Sequence, residues 1–254
     1  MLPLVPSANR LPLRENQKGV HYFDTDFHRG DSWYRSHFPT RLTVERRRRS
    51  VGAAFTAEAS PYLLFHPCAP RRVANAPTST ISPDAFFVVL LRDPIERTIS
   101  HWAEQTRNGV ETLPLGAALD AETARVGNDH ERLADGDLDV SFPHEQQTFA
   151  AQSEYTDSLR RWFDTVGSDR LLIDFSERYY ADPAAVLERI TGRLGVEPMT
   201  DAGVHRNAAP RPSSIDPDIE ARLVARFRPD VDALTELLGD RPPWPRFGGT
   251  DPTS

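Results

Sequence analysis

A chain of 254 residues can bury a full α/β core, and its 37 acidic against 30 basic side chains, a formal net charge of −7, argue against a nucleic-acid or acidic-surface binder. One cysteine, Cys68, excludes an internal disulfide and suits a reducing compartment; HPCAP offers it no adjacent base, so it reads as a small buried thiol rather than a nucleophile. MLPLVPSANRLPLREN holds no apolar run long enough for a signal peptide or membrane anchor, so a cytoplasmic protein with no membrane partner is expected.

In chain order, Val20–Phe23 reads as a short strand, and DSWYRSHF after Gly30 as a helix whose apolar contacts are Trp33, Tyr34 and Phe38. The four arginines Arg46–Arg49 cannot all point one way, which favours a solvated face over an acceptor-binding patch. Val51–Thr56 and EASPYLLFHP predict a strand, a turn and a second strand, and Ala69–Ala76 a short helix. Residues 85–91, AFFVVLL, are too short for an ordinary helix and suit a strand buried on both faces. Arg92 ends that run. Asp93 then stands at an N-cap, Pro94 at the first helical position and Glu96 three residues after the cap, the pattern of a capping box. Ile95, Ile99, Trp102 and Thr106 form the inward stripe of this helix.

A helix over Leu115–Val126, an acidic surface excursion over 127–141 and one long amphipathic helix from Pro143 to Trp162 come next. Arg170–Phe175 predicts a second buried strand; Asp182 and Pro183 open a helix that turns Val186, Ile190 and Leu194 inward and ends at Gly195. HRNAAPRPSS is a polar loop before a helix at Pro217–Phe227, and the Pro-rich tail is expected to fray after Phe247.

A cation at a strand's carboxyl end, beside a helix N-terminus, is where open α/β sheets bind anionic ligands. Arg92 can give a phosphate two parallel hydrogen bonds, and Ser100 one more. LRDPIERTISHW resembles the 3′-phosphate-binding segment of the sulfotransferases that use 3′-phosphoadenosine 5′-phosphosulfate (PAPS). Earlier in the chain, Lys18-Gly19-Val20-His21-Tyr22-Phe23-Asp24, Gly30, Trp33-Tyr34 and Phe38-Pro39 are similar, in order and spacing, to that family's K-E-x-H-F-F-D, Gly, WY and FP pattern. Glu58-Ala59-Ser60-Pro61-Tyr62, the segment from Gly109 to Glu111, Tyr155, Leu159, Trp162, Asp182-Pro183 and Leu194-Gly195 also match. Most of these are core and cap positions.

The resemblance implies an α/β domain over residues 12–247, a P-loop-like parallel sheet flanked by helices, with 248–254 a disordered tail. It implies transfer of a sulfuryl group from PAPS, as co-substrate, to a hydroxyl or amine of a carbohydrate or small-molecule acceptor. Arg92 and Ser100 would hold the 3′-phosphate, with Arg206 or Arg211 assisting. Gly19 stands where much of the family has a general-base Glu, leaving His21 as the candidate base and Asp24 to orient it; a packed core histidine is the other reading. Ala59 stands where glycosaminoglycan-type members often have a Lys, so the acceptor need not be polyanionic. No metal cluster has ligand spacing. The family's opening strand, K-x-G-T-[ST] loop and helix have no counterpart before Lys18, which fits a truncated active enzyme or a divergent, non-catalytic binding protein. An unrelated ATP-using kinase is disfavoured by the lack of a G-x-x-x-x-G-K-[ST] loop.

Overall fold

The computed structural model describes residues 19–52, 54–197 and 215–250. Two short strands, β1 (Phe87–Leu91) and β2 (Leu171–Phe175), pair in parallel with Phe87 beside Leu171 and Leu91 beside Phe175. Helices α1 (Gly30–Ser36), α2 (Arg41–Val51) and α3 (Ala69–Ala74) precede the sheet. α4 (Pro94–Arg107), α5 (Leu115–Val126), α6 (Asp129–Asp135), α7 (Phe142–Gln146) and α8 (Thr156–Val166) lie between the strands; α9 (Ser176–Ala181), α10 (Pro183–Leu194) and α11 (Pro217–Leu238) follow them. The parallel pairing requires such a crossover, and the arrangement is α/β, as expected.

The two strands end together, Leu91 and Phe175 buried with Ile95 and Ile99 of α4, Leu159 of α8, Phe227 and Leu234 of α11, and Trp244. Each such side chain contributes about 1.5–3 kcal/mol of burial free energy. A second cluster of Val20, Tyr22, Phe23, Tyr34, Val73 and Trp162 packs the start of the described chain on α3 and α8.

At the exit of β1 the local signals hold. Asp93 Oδ1 accepts from the N–H groups of Ile95 and Glu96, and Pro94 opens α4. The reciprocal arm of the capping box does not form, because the Asp93 N–H donates to Glu177 Oε1 at 2.9 Å, delivered from the first turn after β2. Freed from that duty, Glu96 meets Arg92 and Arg246, each at 3.4 Å. Asp182 caps α10 through the Ala185 N–H, and Gly195 closes it in the left-handed region at φ 64°.

Several expectations fail for tertiary reasons. Val20–Phe23 forms no strand: the His21 carbonyl accepts from the Asp26 N–H at 2.8 Å, and Arg72 binds the carbonyls of Phe23 and Asp24, which curls the segment into a turn. The two strands expected between Val51 and Pro67 are irregular chain and a 3-10 turn at Pro61–Leu64. β1 is not buried on both faces: Val88 and Leu90 are 41% and 42% exposed, because among the described residues the sheet has only two strands. Thr106 is exposed, and Thr98 and Gln105 are buried in its place.

The long helix expected from Pro143 to Trp162 is broken into α7, a 3-10 turn at Ala151–Ser153 and α8. Two carboxylates break it. Glu122 of α5 accepts from the N–H groups of Phe149, Ala150 and Ala151, each at 2.9 Å, and Asp230 of α11 accepts from those of Tyr155 and Thr156. The excursion at 127–141 contains α6, anchored by buried Leu133. α11 runs on through Pro229 to Leu238 instead of stopping near Phe227. The tail holds to Phe247, which is buried with Trp244.

Candidate active site

The turn at residues 21–24 is built around one strained residue. His21 has φ +54°, and among the described residues no other non-glycine has a positive φ; the conformation costs about 1 kcal/mol. It is fixed by the His21 N–H donating to Ser60 Oγ at 3.0 Å and by the carbonyl bond to Asp26. The consequence is a side chain aimed back along the turn, with His21 Nδ1 3.1 Å from Asp24 Oδ2. Asp24 is fully buried, and its Oδ1 accepts from the Thr25 N–H at 2.7 Å. Sequence and structure thus put the expected His and Asp in direct contact, with His21 9% exposed.

Position 19 has no room for a side chain. A Cβ there would lie 2.2 Å from the Ala59 carbonyl oxygen and 2.4 Å from Ser60 Oγ. Beside it stands Glu58, whose Oε2 accepts from the Ser60 hydroxyl at 2.8 Å and from the Val20 N–H at 3.3 Å. Burial raises the Glu58 carboxyl above its usual range despite those bonds. Burial alone would lower the His21 pKa, but the Asp24 hydrogen bond and the charges of Asp24, Glu145 and Glu58 outweigh it and leave the imidazole raised.

Glu145, on the short helix α7, is the further acid of this neighbourhood. Burial pushes it up to about 7, against the pull of His21. Its helix is locked from behind: His144 pairs with Tyr62 Oη at 2.5 Å and with His130 at 2.9 Å, and burial holds His144 near 3 and so neutral. Gln152 Nε2 donates to the Glu145 carbonyl at 2.7 Å and its Oε1 accepts from Arg97 at 3.0 Å. Arg97, half-buried, also reaches Ser153 Oγ, so the cation meets two neutral oxygens, and burial lowers its pKa.

Arg97 also lies in the field of Arg92, at the exit of β1. Arg92 stands there with a side chain 21% exposed, reaching Glu96 Oε2 at 3.4 Å, while its carbonyl accepts from the Tyr155 hydroxyl at 2.8 Å. Ser100, half-buried, is one helical turn beyond Glu96 on the same ridge of α4. Arg246, from the 3-10 turn at Pro245–Phe247, bonds Glu220 at 2.6 Å and closes the cluster against Asp93 and Glu96. Arg206 and Arg211 lie outside the described residues.

Glu58, Arg72, Arg97, Glu145 and Arg246 escaped the sequence reading as site residues. Glu58 was visible within a matched segment; Glu145, in HEQQ, carries no local signal, because only the fold brings it into the field of His21, Asp24 and Asp26. Arg46–Arg49 lie on α2 with Arg48 and Arg49 paired to Glu45, a solvated face as expected. Glu111, bound by Arg125 and by two N–H groups of its own turn, is structural. Cys68 is buried with Sγ 2.8 Å from the Leu133 carbonyl. Among the described residues no helix is long and apolar enough to cross a membrane, and no group of His, Cys, Asp and Glu is placed to hold a metal.

No protein-family model matches the chain. It is 29% identical over 189 residues to human heparan sulfate glucosamine 3-O-sulfotransferase 6, covering 74% of this chain and 46% of that protein. It is 25% identical over 191 residues to the mouse bifunctional heparan sulfate N-deacetylase/N-sulfotransferase 4, covering 75% of this chain and 19% of that protein. The chain thus spans less than half the length of either relative. A solved sulfotransferase from Alicyclobacillus acidocaldarius superimposes with a TM-score of 0.60 at 24% identity, covering 89% of this chain and 84% of the other.

Proposed function

We propose, from the premise that this chain is related to the sulfotransferases in sequence and in fold, that it transfers a sulfuryl group from PAPS to a hydroxyl or amine of a carbohydrate acceptor. The observation that carries the reading is the placing of Arg92. Its guanidinium stands at the carboxyl end of a parallel strand, at the mouth of a well-capped helix, held by a stretched contact to Glu96. An arriving phosphate can take Arg92 while Arg246 keeps Glu96, and Ser100 lies on the same ridge to add a hydroxyl. The residues present therefore fit the 3′-phosphate of PAPS, which when bound supplies the activated sulfuryl group.

On the acceptor side, His21, with Asp24 on its Nδ1 to orient it, is the candidate general base for the acceptor hydroxyl or amine. Arg206 and Arg211 are the further cations of this proposal. The buried free thiol of Cys68 suits a reducing compartment, and a cytoplasmic location is part of the same proposal.

The test is calorimetric binding of 3′-phosphoadenosine 5′-phosphate, with ADP as the control lacking the 3′-phosphate, joined to transfer of labelled sulfuryl from PAPS to a glucosamine-containing oligosaccharide and to aryl alcohols. Micromolar binding that discriminates against ADP, with transfer, supports the enzyme. Discriminating binding without transfer to any acceptor favours a non-catalytic nucleotide-binding relative, and equal or absent binding of the two nucleotides sinks the reading.

A further inference from the structure

We propose that Arg72 is the positioning residue of the His21–Asp24 pair, a role that rests on the sulfuryl-transfer reading above with His21 as the base. For His21 to take the acceptor proton on Nε2, its Nδ1 must carry a hydrogen toward Asp24, so the pair works only while the turn keeps the two side chains in contact, here at 3.1 Å. The turn does not hold itself. His21 sits at φ +54°, a conformation that persists only where surrounding contacts impose it.

Two groups from distant parts of the chain impose it. Ser60 Oγ takes the His21 N–H at 3.0 Å and fixes the imidazole end. Arg72 fixes the carboxylate end: its Nη1 donates to the Phe23 carbonyl at 3.1 Å and to the Asp24 carbonyl. Asp24 is thereby held at three points, its carbonyl by Arg72, its Oδ1 by the Thr25 N–H and its Oδ2 by His21. Among the described residues, Arg72 is the one bonding partner of Asp24 that comes from outside the turn.

The brace is itself anchored. Arg72 leaves the short helix α3, whose Ala69 and Val73 are buried with Tyr22 and Phe23, so the helix carrying the guanidinium is packed on the segment it holds. Its Cζ lies 4.6 Å from the centre of the Phe27 ring, and that ring packs on Tyr22 at 5.3 Å, which sets the plane of the planar fork. Among the described residues no carboxylate is in ion-pair contact with Arg72; a half-buried cation is committed to two backbone carbonyls. Holding such a charge without a counter-ion costs stability, and what it secures here is the strained turn that presents His21.

The experiment compares wild type, Arg72→Met and, as a control, Arg71→Met, since Arg71 is exposed and its guanidinium reaches the Ala134 carbonyl and Cys68 instead of the turn. Proton NMR of the donor-free protein follows the His21 Nδ1–H signal, which the bond to Asp24 shields from exchange with water. Sulfuryl transfer gives kcat and KM, and calorimetry gives the affinity for 3′-phosphoadenosine 5′-phosphate. R72M should lose that signal and about 10- to 100-fold in kcat, with nucleotide affinity within about twofold of wild type and far-UV circular dichroism unchanged; R71M should change none of these. Should R72M not fold, Arg72→Lys, one bond shorter and so drawn away from the two carbonyls, is held to the same signal and rate. A folded variant at residue 72 that keeps the His21 signal, or that transfers within about threefold of wild type, overturns the assignment. So does a loss of stability with signal and kcat intact, the mark of a contact that only supports the fold. A wild type with no transfer overturns the functional reading, and the NMR signal then decides by itself whether Arg72 positions the pair.

Discussion

Replacing Asp24 by Asn should destabilise the protein in a pH-dependent way, and the sign is set by His21. In the fold His21 is raised above its unfolded value of 6.5, after burial, by its bond to Asp24 and by the surrounding carboxylates. The imidazolium–carboxylate contribution is therefore fully present below about pH 6.5 and is lost as pH rises through the folded value. The pair has side chains 11% and 0% exposed, so solvent screening is slight. A buried hydrogen bond between charged groups contributes about 1.5–3 kcal/mol. Asn keeps an acceptor for the Thr25 N–H and a neutral partner for His21, so the loss at pH 5.5 should sit near the lower end, about 1.5 kcal/mol. Urea unfolding of wild type and D24N at pH 5.5 and pH 8.5, read by fluorescence and by far-UV circular dichroism, measures it. The stability gap should be widest at pH 5.5 and narrow at pH 8.5. A gap that is constant with pH, or wider at pH 8.5, refutes the pairing.

Other outcomes test the frame and the anion site. Trp244→Ala removes a fully buried ring that packs on Phe175, Tyr155 and Phe247 and donates to Glu177 at 3.1 Å; unfolding experiments should show a loss of about 3–5 kcal/mol, and a loss below about 1 kcal/mol would place the tail outside the core. Glu122→Ala leaves three N–H groups without their carboxylate and should cost about 3 kcal/mol or more. Hydrogen exchange should show the added opening concentrated at residues 149–151; uniform protection there contradicts the break in the helix. Arg92→Ala should weaken 3′-phosphoadenosine 5′-phosphate binding by about 10- to 100-fold while leaving ADP nearly unaffected. Ser100→Ala should weaken it by about three- to tenfold, and equal effects of either change on both nucleotides refute a 3′-phosphate site.

The sequence by itself determined what depends on neighbours within a turn or two of chain. AFFVVLL before Arg92, the Asp93 and Asp182 caps with Pro94 and Pro183 behind them, and Gly195 all act locally, and β1, α4 and α10 stand where those signals put them. The spacing of His21 and Asp24 belongs to the same class, since three residues of turn suffice to join them. Only the tertiary structure decided where helices break and which groups surround that pair. Glu122 and Asp230 reach the 149–156 backbone from 27 and 75 residues away and satisfy N–H groups that a continuous helix would have used itself. Glu177 displaces Glu96 from the cap of α4 across 84 residues. Glu145 meets the field of His21 only because buried His144 fixes α7 against Tyr62. Propensity, capping and periodicity act through the covalent neighbourhood, whereas a buried donor or charge is satisfied by whatever partner the packing brings within 3 Å.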